Sequence, residues 1–287
     1  MRLVTFEIGS ERRIGADTQR GIVDLSVAAP ALPRTMIELL AAGPKAMQTA
    51  IAVAARAQDD GVGLVPASEI ELLAPLPRPG KIFGIGLNYR DHAEETGNAI
   101  PTVPMVFSKA VTAVVGPGQA IVIPPASSAI DYEGELAVVI GRTARRVAAA
   151  EALDYVAGYT ILNDVTARDY QTRSGHCMGK SFDTFAPMGP AIVTGDEIRD
   201  PGELELRTIV SGEQMQHSNT RHLIFDVATL IEYISAGVTL EPGDVISTGT
   251  PAGVGVRRDP KRYLRAGDSV RIEIDGIGAL ENPVVAG

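Results

Sequence analysis

The sequence contains a single cysteine, Cys177, in 287 residues, and it is short of basic side chains. One cysteine excludes an internal disulfide bond and suits a reducing compartment. Lys and Arg total 26 against 35 Asp and Glu, a net charge of -9, which argues against a nucleic-acid-binding face and against an anionic membrane surface. No stretch approaches the roughly 20 apolar residues of a spanning helix, and the N-terminus lacks the apolar run of a signal peptide. The sequence therefore predicts a cytoplasmic protein that binds neither nucleic acid nor membrane.

The composition is that of a globular protein, with 45% hydrophobic and 21% charged residues. The length allows one large domain or two smaller ones. A proline-rich stretch at residues 74–80 is the best candidate for a boundary, because such segments make stiff joints. We therefore predict a small N-terminal α+β domain over residues 1–75 and a larger catalytic domain over residues 76–287.

Short β-branched runs recur between turn signals from Lys81 onward. This spacing indicates an α+β, β-rich protein with a rolled or barrel-like sheet. Asp275 and Gly276 predict a hairpin with a type I′ turn, in which both central residues have positive φ. A helix is predicted after Asp226 as its N-cap, with Gly237 as a left-handed stop.

Two carboxylates, Glu133 and Glu135, lie two residues apart at the start of a buried-type strand, so both project from the same face. They repel each other unless a cation lies between them, although a solvated strand end is the alternative. Asp164 ends a second strand-like run where a helix is predicted to begin, and a carboxylate there is well placed as a third oxygen ligand.

The segment after that carboxylate supplies further candidates. Asp164, Arg168 and Gln171 are spaced i, i+4 and i+7, which predicts one helical face, although Arg168 is equally well explained as a surface residue paired with Asp164. Lys180 is either directed toward a developing anion or simply exposed. The glycine-rich residues 248–255 offer backbone amides and a hydroxyl for a substrate carboxylate, with a plain turn as the alternative.

An acid/base pair is predicted earlier in the chain, on a short helix capped by Asn88 and stopped by Gly97. His92 and Glu95 are at i and i+3, where a carboxylate orients an imidazole for activating water. An exposed polar turn is the alternative. By contrast, Cys177 beside His176 is better read as an ordinary thiol, because adjacent side chains seldom face each other.

Five segments, taken in order, resemble the fumarylacetoacetate hydrolase family over about residues 80–285: residues 85–92, 131–136, 162–171, 179–183 and 247–253. Members of that family have a mixed β-roll, are usually homodimeric, and bind a divalent cation, most often Mg²⁺, with Mn²⁺ or Ca²⁺ as alternatives. Ile85 stands where the larger members carry another aspartate ligand. This departure favours the smaller acylpyruvate hydrolase and 2-hydroxyhepta-2,4-diene-1,7-dioate isomerase-like branch.

The resemblance implies roles for nine residues. Glu133, Glu135 and Asp164 would bind the metal. His92 and Glu95 would form a water-activating pair on a mobile lid, and Lys180 would stabilise the oxyanion. The implied substrate contacts are Arg168, Gln171 and Thr250.

The resulting hypothesis is metal-dependent hydrolysis of a carbon–carbon bond in a 2,4-diketo acid, through a pyruvate enolate stabilised by the metal and Lys180. Decarboxylation of oxaloacetate and isomerisation or tautomerisation of a 2-hydroxydienoate are alternatives that use the same metal site. A binding protein without turnover is a third. The expected partner is a small keto acid.

Overall fold

A computed structural model of the protein describes residues 1–198 and 200–287, and strands predominate in it. The strands are β1 (Arg2–Ile8), β2 (Glu11–Thr18), β3 (Gly21–Asp24), β4 (Leu64–Val65), β5 (Glu71–Leu73), β6 (Ile82–Gly86), β7 (Met105–Lys109), β8 (Val114–Val115), β9 (Ile121–Ile123), β10 (Ile130–Asp131), β11 (Gly134–Ile140), β12 (Val156–Asn163), β13 (Thr166–Ala167), β14 (Ala186–Thr194), β15 (Glu205–Val210), β16 (Glu213–Asn219), β17 (Val245–Ser247), β18 (Ser269–Ile274) and β19 (Gly278–Ala286). The α-helices are α1 (Leu25–Ala28), α2 (Met36–Ala41), α3 (Pro44–Asp60), α4 (Arg90–Thr96), α5 (Arg168–Gly179) and α6 (Val227–Gly237).

The strands form mixed sheets. The largest has the order β4-β3-β2-β1-β14-β12-β11-β17-β6-β7, with β5 on β1 and β8 on β14. A second sheet has the order β16-β15-β18-β19-β9, and β10 pairs with β13. Most neighbours are antiparallel, whereas β17 and β6 are parallel. The predicted α+β, β-rich class is confirmed. The N-terminal strands join the same sheet through β1 and β14, and the boundary near residue 75 stays a prediction.

Strand β11 lies at the centre of the largest sheet, and all seven of its residues are buried. Its near-continuous apolar sequence is what a strand covered on both faces requires. Leu136, Val138 and Ile140 pack in the core shared with the second sheet. Ala137 and Val139 point the other way, into the core under α2. Strand β11 thus holds its first residues at a fixed place between two packed layers.

Two predicted details are wrong. The β18–β19 hairpin pairs Ile274 with Gly278, and of Asp275 and Gly276 only the glycine has positive φ, at 75°. The loop is therefore three residues long rather than a type I′ turn, and Ile277 within it is fully buried. Helix α6 begins as predicted, but Gly237 is helical rather than left-handed.

No helix among the described residues is both long and apolar enough to cross a membrane.

Candidate active site

A cavity of about 180 Å³ opens beside the first residues of β11. Its wall comes from β6, β7, α4, α5 and residues near the end of β17. Of the nine residues singled out in the sequence, all but Glu95 and Asp164 line it directly. The fold therefore gathers segments that are up to about 160 residues apart.

The three predicted metal ligands meet at one side of this cavity. Glu133, Glu135 and Asp164 are buried, and each offers a carboxylate oxygen within 4.8 Å of the others. Strand pairing brings them together: Gly134 on β11 lies opposite Asn163 on β12, and the Asp164 N–H donates to the Glu133 carbonyl at 2.9 Å. The register of two neighbouring strands thus sets the spacing of the carboxylates.

Three cationic side chains surround the carboxylates. Lys180 Nζ donates to Glu133 Oε2 and Asp164 Oδ2, both at 2.6 Å, and to a threonine hydroxyl at 2.9 Å. All three ammonium hydrogens of Lys180 therefore donate to protein groups. In this arrangement Lys180 stabilises a ligand through its charge rather than through a hydrogen bond. Lys109 Nζ lies 2.5 Å from Asp164 Oδ1, and Arg168 Nη2 lies 2.6 Å from Glu133 Oε1.

Sequence reasoning missed Lys109. It is fully buried at the end of β7, where its ammonium also donates to the Lys180 carbonyl oxygen. Burial lowers its pKa, against the opposing effect of Asp164. The only signal in the sequence is a lysine at the end of a short strand, which is usually a solvated position.

The pKa values of Glu133 and Glu135 are shifted in opposite directions. Burial favours the neutral form of Glu133, but the charges of Lys180 and Arg168 outweigh it and lower the pKa of that carboxyl. Burial raises the pKa of Glu135 well above its usual value, and the charges of Asp164 and Glu133 raise it further. Glu135 is thus the carboxylate with the least compensation from the protein.

The donor set fits a divalent cation. Glu135 Oε2 accepts from Ser247 Oγ at 2.6 Å and from the Gly249 N–H at 2.9 Å, whereas its Oε1 has no hydrogen-bond partner in the described parts of the chain. An uncompensated oxygen beside two further buried carboxylates suits a hard cation such as Mg²⁺ or Mn²⁺. The three side chains could therefore hold such an ion.

The predicted acid/base pair forms on α4. His92 Nδ1 lies 2.8 Å from Glu95 Oε2, and Glu95 Oε1 accepts from the Gly253 N–H at 2.8 Å. His92 lines the cavity, and its Nε2 has no protein partner among the described residues. This is the geometry in which a carboxylate fixes one imidazole nitrogen and leaves the other for proton transfer.

Asn88 does not cap α4, contrary to the prediction; the cap residue is Tyr89. The Asn88 amide instead donates to the carbonyls of Phe225 and Thr248, at 3.0 and 2.7 Å, and accepts from the Phe225 N–H at 2.8 Å. Because these partners are about 140 and 160 residues away, local sequence gives no sign of them. Asn88 thus connects the start of α4 to Phe225 and to the first residue of the glycine-rich loop, Thr248.

The glycine-rich loop also differs from the prediction. Three of its amides are not free for a substrate, because they donate to the protein's own carboxylates: Gly249 to Glu135, Gly253 to Glu95 and Gly255 to Asp131. The Thr250 hydroxyl donates to the Gly134 carbonyl at 3.1 Å and accepts from Gln216 at 2.8 Å. The N–H groups of the glycine-rich loop therefore orient acidic side chains of the site.

Helix α5 begins only at Arg168, so Asp164 does not share a helical face with Arg168 and Gln171 as predicted. Arg168 bonds to Asp131 instead, with Nε and Nη2 both 2.8 Å from Oδ2. Its Nη1 donates to Gln171 Oε1 at 3.2 Å. Nε and Nη1 are thus hydrogen-bonded within the protein, whereas Nη2 makes ion-pair contacts but has no hydrogen-bond partner among the described residues.

His176 is a second residue without a predicted role, and it lines the cavity. Gly175 has φ 83° and interrupts α5, and the following imidazole stacks on Phe107 with ring centroids 5.4 Å apart. Burial lowers the pKa of His176, and the charge of Lys180 lowers it further. Cys177 beside it is exposed.

Comparison with known families identifies the chain. Residues 81–285 match the C-terminal domain of fumarylacetoacetate hydrolase. The chain belongs to the fumarylacetoacetate hydrolase family. The predicted family and its β-roll fold are thereby confirmed, and the solved structures that match include members of the predicted bacterial branch.

Three solved members of the fumarylacetoacetate hydrolase family illustrate the fold. The enzyme from Exiguobacterium antarcticum superposes with a TM-score of 0.87 at 37% identity, covering 100% of both chains. Maleylpyruvate hydrolase from Sphingobium sp. SYK-6, solved with manganese(II) and pyruvate, gives 0.82 at 34% identity over 100% of both chains. The 2-hydroxyhepta-2,4-diene-1,7-dioate isomerase of Mycobacterium marinum gives 0.76 at 37% identity, covering 100% of this chain and 98% of its own.

A curated family member, the mitochondrial oxaloacetate tautomerase Fahd2a of Rattus norvegicus, is 44% identical over 99% of this chain and 92% of its own length. Relatives from cattle and human also carry mitochondrial names. The prediction of a cytoplasmic location is therefore wrong, because composition and charge do not distinguish these compartments. The relatives are enzymes of the family, and they include hydrolases, isomerases and tautomerases.

Proposed function

We propose that the protein interconverts the keto and enol forms of oxaloacetate, with a divalent cation held by Glu133, Glu135 and Asp164. The observation that carries this proposal is the His92–Glu95 pair, which faces the same small cavity as the three carboxylates. A cavity of about 180 Å³ suits a four-carbon acid. The curated relatives named as oxaloacetate tautomerases support this choice of substrate.

The cation is proposed to be Mg²⁺ or Mn²⁺, with Ca²⁺ as an alternative; when bound, such an ion supplies Lewis acidity at the 2-oxo acid end of the substrate. The side chains supply the proton transfer. In the keto-to-enol direction, Nε2 of neutral His92 takes a proton from C3, and the electron pair moves onto the 2-oxygen. Glu95 keeps Nδ1 protonated, so that Nε2 is the basic nitrogen. The proton then passes from Nε2 to the 2-oxygen, which gives the enol and restores the neutral imidazole. In the reverse direction Nε2 takes the proton from the 2-hydroxyl and returns it to C3.

The cationic side chains of the site are proposed to stabilise the negative charge that develops on the 2-oxygen. Lys180 lies in the cavity wall and stabilises that charge at short range, since a buried charge is weakly screened. The proposed substrate contacts are Arg168, which is held by Asp131, Gln171, which accepts from Arg168 Nη1, and Thr250, which is held in the glycine-rich loop. The Arg168 guanidinium can contact the substrate only through donors that do not already bind Asp131, Glu133 or Gln171.

A second candidate function is the hydrolysis of a carbon–carbon bond in a 2,4-diketo acid. The maleylpyruvate hydrolase structure, with its manganese(II) and pyruvate, favours it. The same imidazole would then activate water rather than take a proton from carbon. Both functions take a small keto acid as partner. The homodimer stays a prediction.

A substrate panel separates these functions. With Mg²⁺ present, we expect the protein to accelerate the decay of enol-oxaloacetate absorbance above the spontaneous rate, with little pyruvate or CO₂ released. Pyruvate formation from maleylpyruvate or acetylpyruvate without any effect on oxaloacetate would favour the hydrolase instead. Bound Mg²⁺ with no turnover of any of these acids would indicate a binding protein.

The metal site makes a separate prediction. Glu135→Gln preserves the shape of the side chain but removes the negative charge that the protein compensates least. We therefore expect Mn²⁺ affinity to fall at least tenfold, which is the lower end of the loss seen when a residue that supports a metal ligand is replaced. Titration calorimetry measures it. The exposed Glu151→Gln is the matched control and is expected to bind Mn²⁺ as the unaltered protein does. Equal affinity of the two variants would remove Glu135 from the ligand set.

A further inference from the structure

His176 is a cavity side chain that the proposed proton transfer does not use. The break at Gly175 turns it out of the main part of α5, and stacking on Phe107 fixes its ring. It is half-buried, lines the cavity, and neither ring nitrogen has a hydrogen-bond partner among the described residues. A polar ring held this firmly, with its nitrogens free, is arranged to meet a ligand.

Most charged groups of the cavity are bonded to other protein groups. Glu133 and Lys180 bind each other, Glu135 binds Ser247, and Arg168 Nε binds Asp131, whereas Arg168 Nη2 contacts carboxylates without a hydrogen-bond partner among the described residues. The imidazoles of His92 and His176 also present nitrogens that a substrate can bind without displacing a protein partner. His92 is assigned to proton transfer, so His176 is the imidazole available for recognition.

The position of His176 indicates which part of a substrate it meets. Phe107 contacts both Lys180 and His176: its ring centroid is 5.2 Å from Lys180 Nζ and 5.4 Å from the His176 centroid. Lys180 bonds directly to Glu133 and Asp164, whereas His176 bonds to neither. A substrate whose 2-oxo acid group lies at the carboxylates would extend along Phe107 toward His176.

We propose that His176 is a specificity-determining residue that donates a hydrogen bond to an oxygen on C4 of the substrate, an inference that rests on the proposed function. The ligand class is a 2-oxo acid with a carboxylate or carbonyl at C4. The lowered pKa of His176 agrees with a neutral ring that offers one donor and one acceptor at neutral pH. Oxaloacetate and acylpyruvates both have this C4 oxygen, whereas oxalate lacks it.

Three variants test the proposal. His176→Phe keeps an aromatic ring on Phe107 but removes both nitrogens. His176→Gln places an amide near the position of Nε2, and His176→Asn places one near Nδ1. His222→Phe, at an exposed histidine outside the cavity lining, is the matched control. Circular dichroism and thermal melts check that each variant is folded.

The measurements compare oxaloacetate with oxalate on the Mg²⁺-loaded protein. For His176→Phe we expect KM for oxaloacetate to rise about tenfold, as for the loss of a hydrogen bond to a charged group, with kcat changed less than about twofold. Oxalate affinity, measured by calorimetry, stays within about twofold because oxalate does not reach His176. One of the two amide variants should recover most of the lost affinity for oxaloacetate.

Two results would overturn the proposal: an equal loss of oxalate and oxaloacetate affinity in His176→Phe, or no loss of either. If the unaltered protein binds oxaloacetate but does not turn it over, the proposed function fails, while the binding comparison still tests His176. The failure of one claim is thus distinguishable from that of the other.

Discussion

His92→Ala is expected to lower turnover by about 10²–10⁴-fold, the usual contribution of a positioned general base. The His92 imidazole faces the cavity with a free Nε2, while Glu95, held by the Gly253 N–H, bonds to its Nδ1. The carboxylates proposed to bind the metal lie at the ends of β11 and β12 rather than on α4, so Mn²⁺ affinity is expected to stay within about twofold. Turnover of enol-oxaloacetate and titration calorimetry measure the two quantities.

The control lies on the same helix. Glu94 is exposed and makes no contact with the proposed proton transfer, so Glu94→Ala should keep full activity. If His92→Ala retained the activity of this control, His92 would not be the base. A fall in Mn²⁺ affinity together with activity would instead show that α4 supports the metal site.

Lys109→Met is expected to destabilise the metal-free protein by about 3–5 kcal/mol, the cost of removing one partner from a buried ion pair. The ammonium is fully buried, lies 2.5 Å from Asp164 Oδ1, and also bonds to the Lys180 carbonyl. Methionine fills the space but leaves Asp164 Oδ1 and that carbonyl without their donor, while Asp164 Oδ2 keeps its bond to Lys180. A divalent cation should restore part of the loss, because its charge compensates the same carboxylate.

Chemical denaturation in EDTA and in excess Mg²⁺ measures both effects. Lys45 is exposed and forms no ion pair in the described residues, so Lys45→Met serves as the control and should change the free energy of unfolding by less than about 0.5 kcal/mol. A Lys109→Met variant as stable as this control in EDTA would show that Lys180 alone compensates Asp164.

The site residues that could be predicted from the sequence are those whose interaction partners lie only a few positions away in the chain. Glu133 and Glu135 stand out because two carboxylates on one strand face are costly without a cation. His92 and Glu95 stand out because a three-residue helical spacing brings them into contact. In both cases the interacting groups are close in the chain, so their spacing in the sequence predicts that they are also close in space.

The residues it missed depend on partners far along the chain. Lys109 pairs with Asp164, and Asn88 bonds to Phe225 and Thr248. The glycine-rich loop was expected to bind substrate, because nothing in the sequence shows that Glu95 and Asp131 would occupy its amides. Each of these interactions exists only after the strands have been placed side by side.

The sequence by itself determined the β-rich class, the family and the candidate carboxylates, because periodicity and the joint order of motifs are properties of the chain. The tertiary structure decided which charges compensate one another, which amides are taken, and that His176 faces the cavity. These follow from strand register, as in the pairing of Gly134 with Asn163, and from a single left-handed glycine before His176. Local pattern and turn geometry restrict strand register, but which strands become neighbours depends on the packing of the whole fold.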